Sequence, residues 1–251
     1  MKPLLARIKP VQGFTYLLHI ALLALLPLIV FILVLDQFVV QAFIIILLSK
    51  WRIFAVRPRF WAAGIRANSV DIIVGISLLA FMAHSMGHTW IQLFWAVLYG
   101  VWLIYIKPAT SITMVSVQAM IGQLVALSAL FLVYGARSLW VLVLGAGIIC
   151  YLCARHFFES YEEPYTKLLA YTWGFFGAAL VWLLGHWLLF YYDIIAQPTL
   201  LLITVGYGLA ALYYLDHHER LSDVVRRQFI FIMIAIIIVV LAFSDWGGRV
   251  V

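Results

Sequence analysis

FIFIMIAIIIVVLAF, from Phe229 to Phe243, runs for fifteen residues without a charge or a polar side chain. IALLALLPLIVFILVL, from Ile20 to Leu35, repeats the pattern near the other end of the chain. A strand of a membrane barrel would alternate polar and apolar residues over about ten positions. In hydrocarbon every backbone amide must be satisfied internally, which leaves only helices and closed barrels. Continuous runs of this length therefore predict an all-α integral membrane protein, a polytopic helical bundle.

The rest of the chain agrees with that reading. Its 251 residues are 67% hydrophobic and 10% charged, with a mean hydropathy of +1.11. Soluble domains are nearer half apolar and a quarter charged, so no water-soluble fold suits this balance. The net charge of +6 could suggest nucleic acid. The basic residues, however, sit between apolar spans, where they set topology and meet anionic lipids, so no nucleic-acid partner is expected. Cys150 and Cys153 are too few for a disulfide framework, and neither falls in a predicted external loop. The basic start (Lys2, Arg7, Lys9) leads into an apolar stretch too long for a signal-peptide core, which is expected to stay as the first helix.

About twenty apolar residues cross the hydrocarbon. Such runs predict nine spans near 14–35, 38–56, 69–88, 90–106, 112–134, 138–154, 168–192, 199–215 and 228–243. The second has a short uncharged core, Phe38–Ser49, and crosses only if Lys50 and Arg52 snorkel into the headgroups. Alternating nine spans from a cytoplasmic N-terminus puts three Lys or Arg in the N-terminal tail. Lys50, Arg52, Arg57, Arg59 and Arg66 join them, then Lys107, Arg155, Lys167, Arg220, Arg226 and Arg227. Only Arg137 and Arg249 of the sixteen basic residues fall outside. Positive residues near span ends are retained in the cytoplasm, so this asymmetry favours nine spans over eight and an external C-terminus. Aromatic residues gather at both faces, with Trp51, Trp61 and Tyr105 inner, and Trp90, Trp140 and Trp187 outer. The loops are short, and residues 1–251 are expected to form one transmembrane domain.

The fifth span, SITMVSVQAMIGQLVALSALFLVY from Ser111, is the least lipid-like. At 100° per residue one arc of roughly 160° carries Ser111, Ser116, Gln118, Ala119, Gly122, Gln123, Ala126 and Ala129. Small residues let helices approach, and amides bond across them. This helix is expected to be central, with that arc inward. The arc serves either tight packing or a solute or water path lined by Gln118 and Gln123 with Ser116. Pro27 is expected to kink the first span. Ala170, Gly174 and Ala178 give the seventh a small-residue seam.

Several side chains could carry chemistry. Asp71, just inside the third span near Arg66 and Asn68, is either a functional intramembrane acid or a carboxylate stabilised by the helix dipole. His186 and His19 are the other titratable groups inside spans, each a packing residue or a proton carrier. His84 and His88, four apart on one helical face, form a weak pattern for two metal ligands. Asp36, Asp193 and Asp245 are predicted on the same side. Cys150, Cys153 and His156 place three soft ligands on one helix, though apolar filling is the simpler use of the two thiols. No cofactor is expected.

Lys50 followed after six residues by Arg57-Pro58 matches the first motif of membrane lipid phosphatases resembling phosphatidic acid phosphatase. Ser85-Met86-Gly87-His88 loosely resembles their second motif. That chemistry needs cations and a nucleophilic histidine on one face, but the topology puts Lys50 and Arg57 inside and His88 outside, and the third motif is absent. Glu162-Glu163-x-x-x-Lys167 with Trp182-x-x-x-His186 resembles two motifs of intramembrane CAAX-type proteases. Here the glutamates and the histidine fall roughly 35 Å apart along one helix, and the third motif is absent. Retinal-type lysine, rhomboid-type serine and phosphate-loop signatures are missing from the sequence too.

The expected function is transporter-like or channel-like movement of a small solute, with Gln118, Gln123, Ser116, Asp71 and His186 along the path. A non-catalytic membrane scaffold or complex subunit is the alternative, and an intramembrane enzyme the third. Membrane lipids and membrane-protein partners are expected, in a bacterial plasma or inner membrane.

Overall fold

The computed structural model describes residues 14–135, 137–185, 191–192 and 195–245, with side chains from Ile20 onward, Arg52 and Tyr192 aside. Among these residues ten α-helices follow in chain order. They are α1 (Phe14–Leu35), α2 (Val39–Leu48), α3 (Trp61–Ala67), α4 (Ser69–His84), α5 (Thr89–Val101), α6 (Ile112–Tyr134), α7 (Leu139–Glu159), α8 (Thr166–Gly185), α9 (Gln197–His217) and α10 (Asp223–Phe243). The strand structure among them is one antiparallel pair, Tyr191–Tyr192 with Ile195–Ala196, which Asp245 joins by donating its amide to the Tyr191 carbonyl at 2.9 Å.

Six segments are long and apolar enough to cross a membrane: Thr89–Ile106, which is α5 with a π-helical turn, and α6 to α10. Residues Pro58–Ala67 and α4, bent by 64° at their junction, make a seventh if counted as one span, while Ile20–Leu35 and α2 are shorter apolar helices. The outer surface suits hydrocarbon. Phe175 on α8, and Phe231, Ile238 and Phe243 on α10, are exposed, and only 6% of the apolar window of α10 is buried. In water such a surface would aggregate. The all-α architecture thus fits a helical membrane protein.

Three expected spans change. The second stops at Leu48, and at 1.5 Å per residue its ten residues reach about 15 Å, half a hydrocarbon layer. After it, Lys50 is buried rather than snorkelling, and the chain continues in 3₁₀ turns at Trp51–Ile53 and Pro58–Phe60. The third stops at His84, where Ser85 takes over the Phe81 carbonyl and Gly87 turns the chain with φ +90°. The seventh stops at Gly185, so Tyr191 and Tyr192 lie in the strand pair. Elsewhere local chemistry sets the helix starts. Ser111 caps α6 by accepting the Met114 amide at 3.3 Å, and Ser222 caps α10 by accepting that of Val225 at 3.3 Å.

One contiguous core joins α1, α2, α4, α5, α6 and α7 through Val30, Ile46, Leu78, Tyr99, Leu127 and Leu142. The closest helix pair is α7 with α8, which meet through glycines. A Cβ at Gly174 would lie 2.9 Å from the Gly147 carbonyl oxygen, and one at Gly177 would lie 2.6 Å from Cys150 Sγ. Outward from this pair, α9 packs on α6 and α8, and α10 packs on α9.

A buried ion cluster and an aromatic cavity

Asp71 sits in the first turn of α4 and is buried. Its partners come from other elements, not from Arg66 or Asn68. Arg66 is exposed, and the Asn68 amide donates to the Gly64 carbonyl at 2.9 Å, closing α3. Lys50, just past α2, and Lys107, just past the π-helical turn Trp102–Ile106, both pair with Asp71 Oδ2. Trp102 Nε1 donates to Oδ1 at 3.0 Å. Lys50 is almost fully enclosed, whereas Lys107 keeps about a third of its side chain exposed. Two ammonium groups and one indole thus meet one carboxylate in an otherwise apolar core. Beside them Tyr99 Oη is buried and forms no hydrogen bond among the described residues. Gly75 leaves room for it, since a Cβ there would lie 2.9 Å from Oη.

Gln118 and Gln123 are both buried, on the inward arc of α6, yet they do different work. The Gln118 amide nitrogen donates to the carbonyls of Ile106 at 2.7 Å and Ala109 at 2.9 Å, and its oxygen meets His156 Nε2 at 3.1 Å. It braces the loop after the π-helical turn. Replacing Gln118 by leucine would take a partner from the Ala109 carbonyl and from His156, while the Ile106 carbonyl keeps the Ala109 amide at 3.3 Å. The expected loss is about 2 kcal/mol, the lower end of 1–3 kcal/mol for each of two part-buried groups. Thermal unfolding in detergent reads it, and an unchanged midpoint would rule out the brace.

Gln123 instead faces a half-open cavity of about 590 Å³ bordered by α6, α7, α8 and α9, with Phe229 of α10 on one wall. Its oxygen accepts from Trp173 Nε1 at 3.1 Å. Gly206 on α9 makes that possible, because a Cβ there would lie 2.8 Å from the Trp173 ring. Ser116 also lines the cavity, with its hydroxyl donating to the Ile112 carbonyl at 2.9 Å. Toward the end formed by Phe158, Tyr213 and Leu215, rings crowd together. Tyr161 and Tyr213 meet edge to face at 5.3 Å, as do Phe158 and Tyr213. Tyr213 Oη donates to Glu163 Oε2. Burial raises the Tyr161 phenol above its ordinary pKa, so it stays neutral there. A volume of this size is typical of small-molecule sites, as is a wall mostly apolar with few polar groups.

No family model, curated protein or solved structure matches the chain.

The remaining expected groups are scattered. His84 ends α4 and His88 precedes α5 across the Ser85–Gly87 turn, so they do not share the helical face that made them a ligand pair. Among the described residues no three His, Cys, Asp or Glu side chains gather closely enough to hold a metal ion. Cys150 and Cys153 are buried free thiols packed in the α7 interface, and His156 is held by Gln118. Lys50 of the phosphatase-like pattern is engaged by Asp71, at the opposite end of α4 from His88. Glu163 of the protease-like pattern is engaged by Tyr213. His186 and Asp193, like the side chain of His19, lie outside the described residues.

Lys50, Lys107 and Trp102 were not read as partners of Asp71, although for the two lysines a signal was there. Lys50, Asp71 and Lys107 all fall at the same predicted level, the inner ends of successive spans. Trp173 as a cavity group, and Glu163 as the partner of Tyr213, had no comparable signal, because the contact between α6, α8 and α9 is set by helix packing alone.

Proposed function

We propose that the protein is a multi-pass membrane protein of transporter-like type, which takes a small amphipathic or apolar molecule into the cavity between α6 and α9. The cavity carries this reading. It is about 590 Å³, and among the described residues its wall carries no charged side chain and one amide, that of Gln123, in its depth. Eleven residues into α6, Gln123 lies about 16 Å from the helix start, near the middle of a bilayer. A strongly hydrated solute would lose its water there without replacement. This shifts the expected solute from polar to largely apolar, and takes Gln118 and Asp71 out of the path. Ser116 and Gln123 remain in it.

The sidedness we propose keeps the N-terminus and Lys50, Lys107, Arg155 and Arg220 on the cytoplasmic face of a bacterial plasma membrane, with the chain alternating over nine apolar helices in one domain. Pairing of Lys50 and Lys107 with the same carboxylate supports it, since it brings the ends of α2 and α5 to one level. A scaffold or complex subunit is the second reading, favoured by α10, whose outer face is free for lipid or a partner helix.

Ala210→Trp tests the cavity, because Ala210 lines it and an indole there would obstruct it. Native mass spectrometry from nanodiscs of defined lipid is expected to give a small-molecule or single-lipid adduct on the wild type. That adduct should be lost in Ala210→Trp with helicity unchanged. Equal adducts on both would count against the cavity, and a stable protein partner without any adduct would favour the scaffold.

A further inference from the structure

We propose that the cavity takes lipophilic cations, molecules with a bulky apolar body and an alkylated or delocalised positive charge. This rests on the cavity reading above and adds the sign of the charge. The first support is the wall itself. Phe157, Phe158, Trp173, Tyr207, Tyr213 and Phe229 contribute rings to it, while among the described residues no lysine, arginine or histidine lines it. The faces of aromatic rings are electron-rich and attract cations. A compact ammonium ion would forfeit its hydration in this wall, whereas a cation already shielded by carbon has little hydration to lose.

The second support is Glu163. Its carboxylate accepts the Tyr213 hydroxyl proton in a hydrogen bond, so a wall ring is joined directly to an anion. The bond polarises the phenol, placing negative potential at the end of the cavity bounded by Phe158, Tyr213 and Leu215. Glu163 thereby acts on the occupant without exposing a bare charge in hydrocarbon, which would be costly.

The third support is the charge pattern around that end. Residues 155–167 carry Arg155 and Lys167 against Glu159, Glu162 and Glu163, and residues 216–220 carry Arg220 against Asp216 and Glu219. Arg155 is committed to Glu159 at 2.7 Å and to Tyr151 at 2.7 Å. At the start of α10, Arg226 pairs with Asp223 at 3.4 Å, and Arg227 is exposed. By contrast, residues 50–66 hold five basic residues and no acid. The proposed cytoplasmic face is basic throughout except where the cavity ends. Net negative charge at a mouth raises the local concentration of cations and disfavours anions of the same shape.

Tetraphenylphosphonium and tetraphenylborate match in size and shape and differ in sign, which makes them suitable probes. Equilibrium dialysis would be run on the full chain in zwitterionic nanodiscs. Cavity binding is the difference between wild type and Ala210→Trp, which removes lipid partitioning of each ion. The expected result is cavity binding of the phosphonium at least about tenfold tighter than of the borate, a 1.4 kcal/mol preference. Glu163→Gln, which keeps an acceptor for Tyr213, is expected to reduce that preference several-fold, and Tyr213→Phe to do the same. Equal binding of both ions, or preference for the borate, overturns the charge preference while leaving the cavity reading intact. Binding of neither ion overturns the proposal, and the adduct comparison above then decides separately whether the cavity holds anything. An unchanged preference in both Glu163→Gln and Tyr213→Phe overturns it as well.

Discussion

Asp71→Asn is expected to lower the stability of the protein by about 3–5 kcal/mol, the range for removing one partner of a buried ion pair. The side chain that suffers is Lys50. Lys107 keeps about a third of its side chain exposed and can turn toward water, but Lys50 is enclosed and has no such exit. An upper limit follows from the alternative open to the chain, stripping a proton from Lys50 at neutral pH. From an ordinary lysine pKa near 10.4 that costs about 5 kcal/mol at pH 7. That origin has a pH signature. In Asp71→Asn the folded chain holds Lys50 neutral while the unfolded chain holds it charged, so the unfolded state binds more protons. Stability of the variant should therefore rise with pH between 7 and 10, and the deficit against wild type should shrink. Adding Lys50→Met to Asp71→Asn removes the stranded charge and is expected to recover most of the loss. Unfolding midpoints in detergent across that pH range measure all three proteins. If Asp71→Asn matched wild type, the cluster would not be holding α2, α4 and α5 together.

The second large effect is expected at Gly174. A Cβ there would meet the Gly147 carbonyl oxygen and Tyr151 Cβ, each at 2.9 Å, and neither is the flexible end of a side chain. Gly174→Val must therefore separate α7 from α8. Overpacking costs about 1–3 kcal/mol and occasionally more. The upper end is expected here, because close packing rather than water exclusion holds helices together in lipid. Gly100→Ala is the control, since its Cβ would meet only Pro27 Cγ, at 4.0 Å. The same unfolding assay should place Gly174→Val about 3 kcal/mol below wild type and Gly100→Ala within about 0.5 kcal/mol of it. A tolerated valine would mean that α7 and α8 can shift apart freely.

The two sites were legible in the sequence to different depths. The bounds of α6 were fully readable, because an apolar run is preceded by a capping serine and followed by Gly135. Its inward arc was readable too, but not what each glutamine meets there. Gln118 reaches carbonyls freed by a π-helical turn at Trp102–Ile106, and nothing in the residues WLIYI marks that turn. Asp71 was found and its partners were not, because Lys50 and Lys107 lie 21 and 36 positions away and were read as loop charges facing lipid. The His84 and His88 spacing failed for a local reason. Pairing at i and i+4 presupposes a continuous helix, and Gly87 was passed over as a breaker although its φ of +90° suits glycine. The length of α2 was overread because apolar residues resume after the Lys50–Arg52 interruption. The cavity was out of reach, since it arises where helices distant in sequence fail to fill space.

The ten residues of α2 have one more consequence. From α2 the packing runs through α4, α6 and α9 to α10, so the short helix and the long one occupy opposite flanks. At 1.5 Å per residue α2 is about 15 Å tall and α10 about 32 Å. Lipid tails beside α10 can stand at full length, while those beside α2 must compress, tilt or give way to shorter chains. Mismatch of this kind costs fractions of a kilocalorie per ångström, enough to sort lipids. Set upright in a bilayer with both helices facing lipid, the bundle would act as a wedge in membrane thickness, and it is then expected to collect thin-bilayer lipids along the edge of α2.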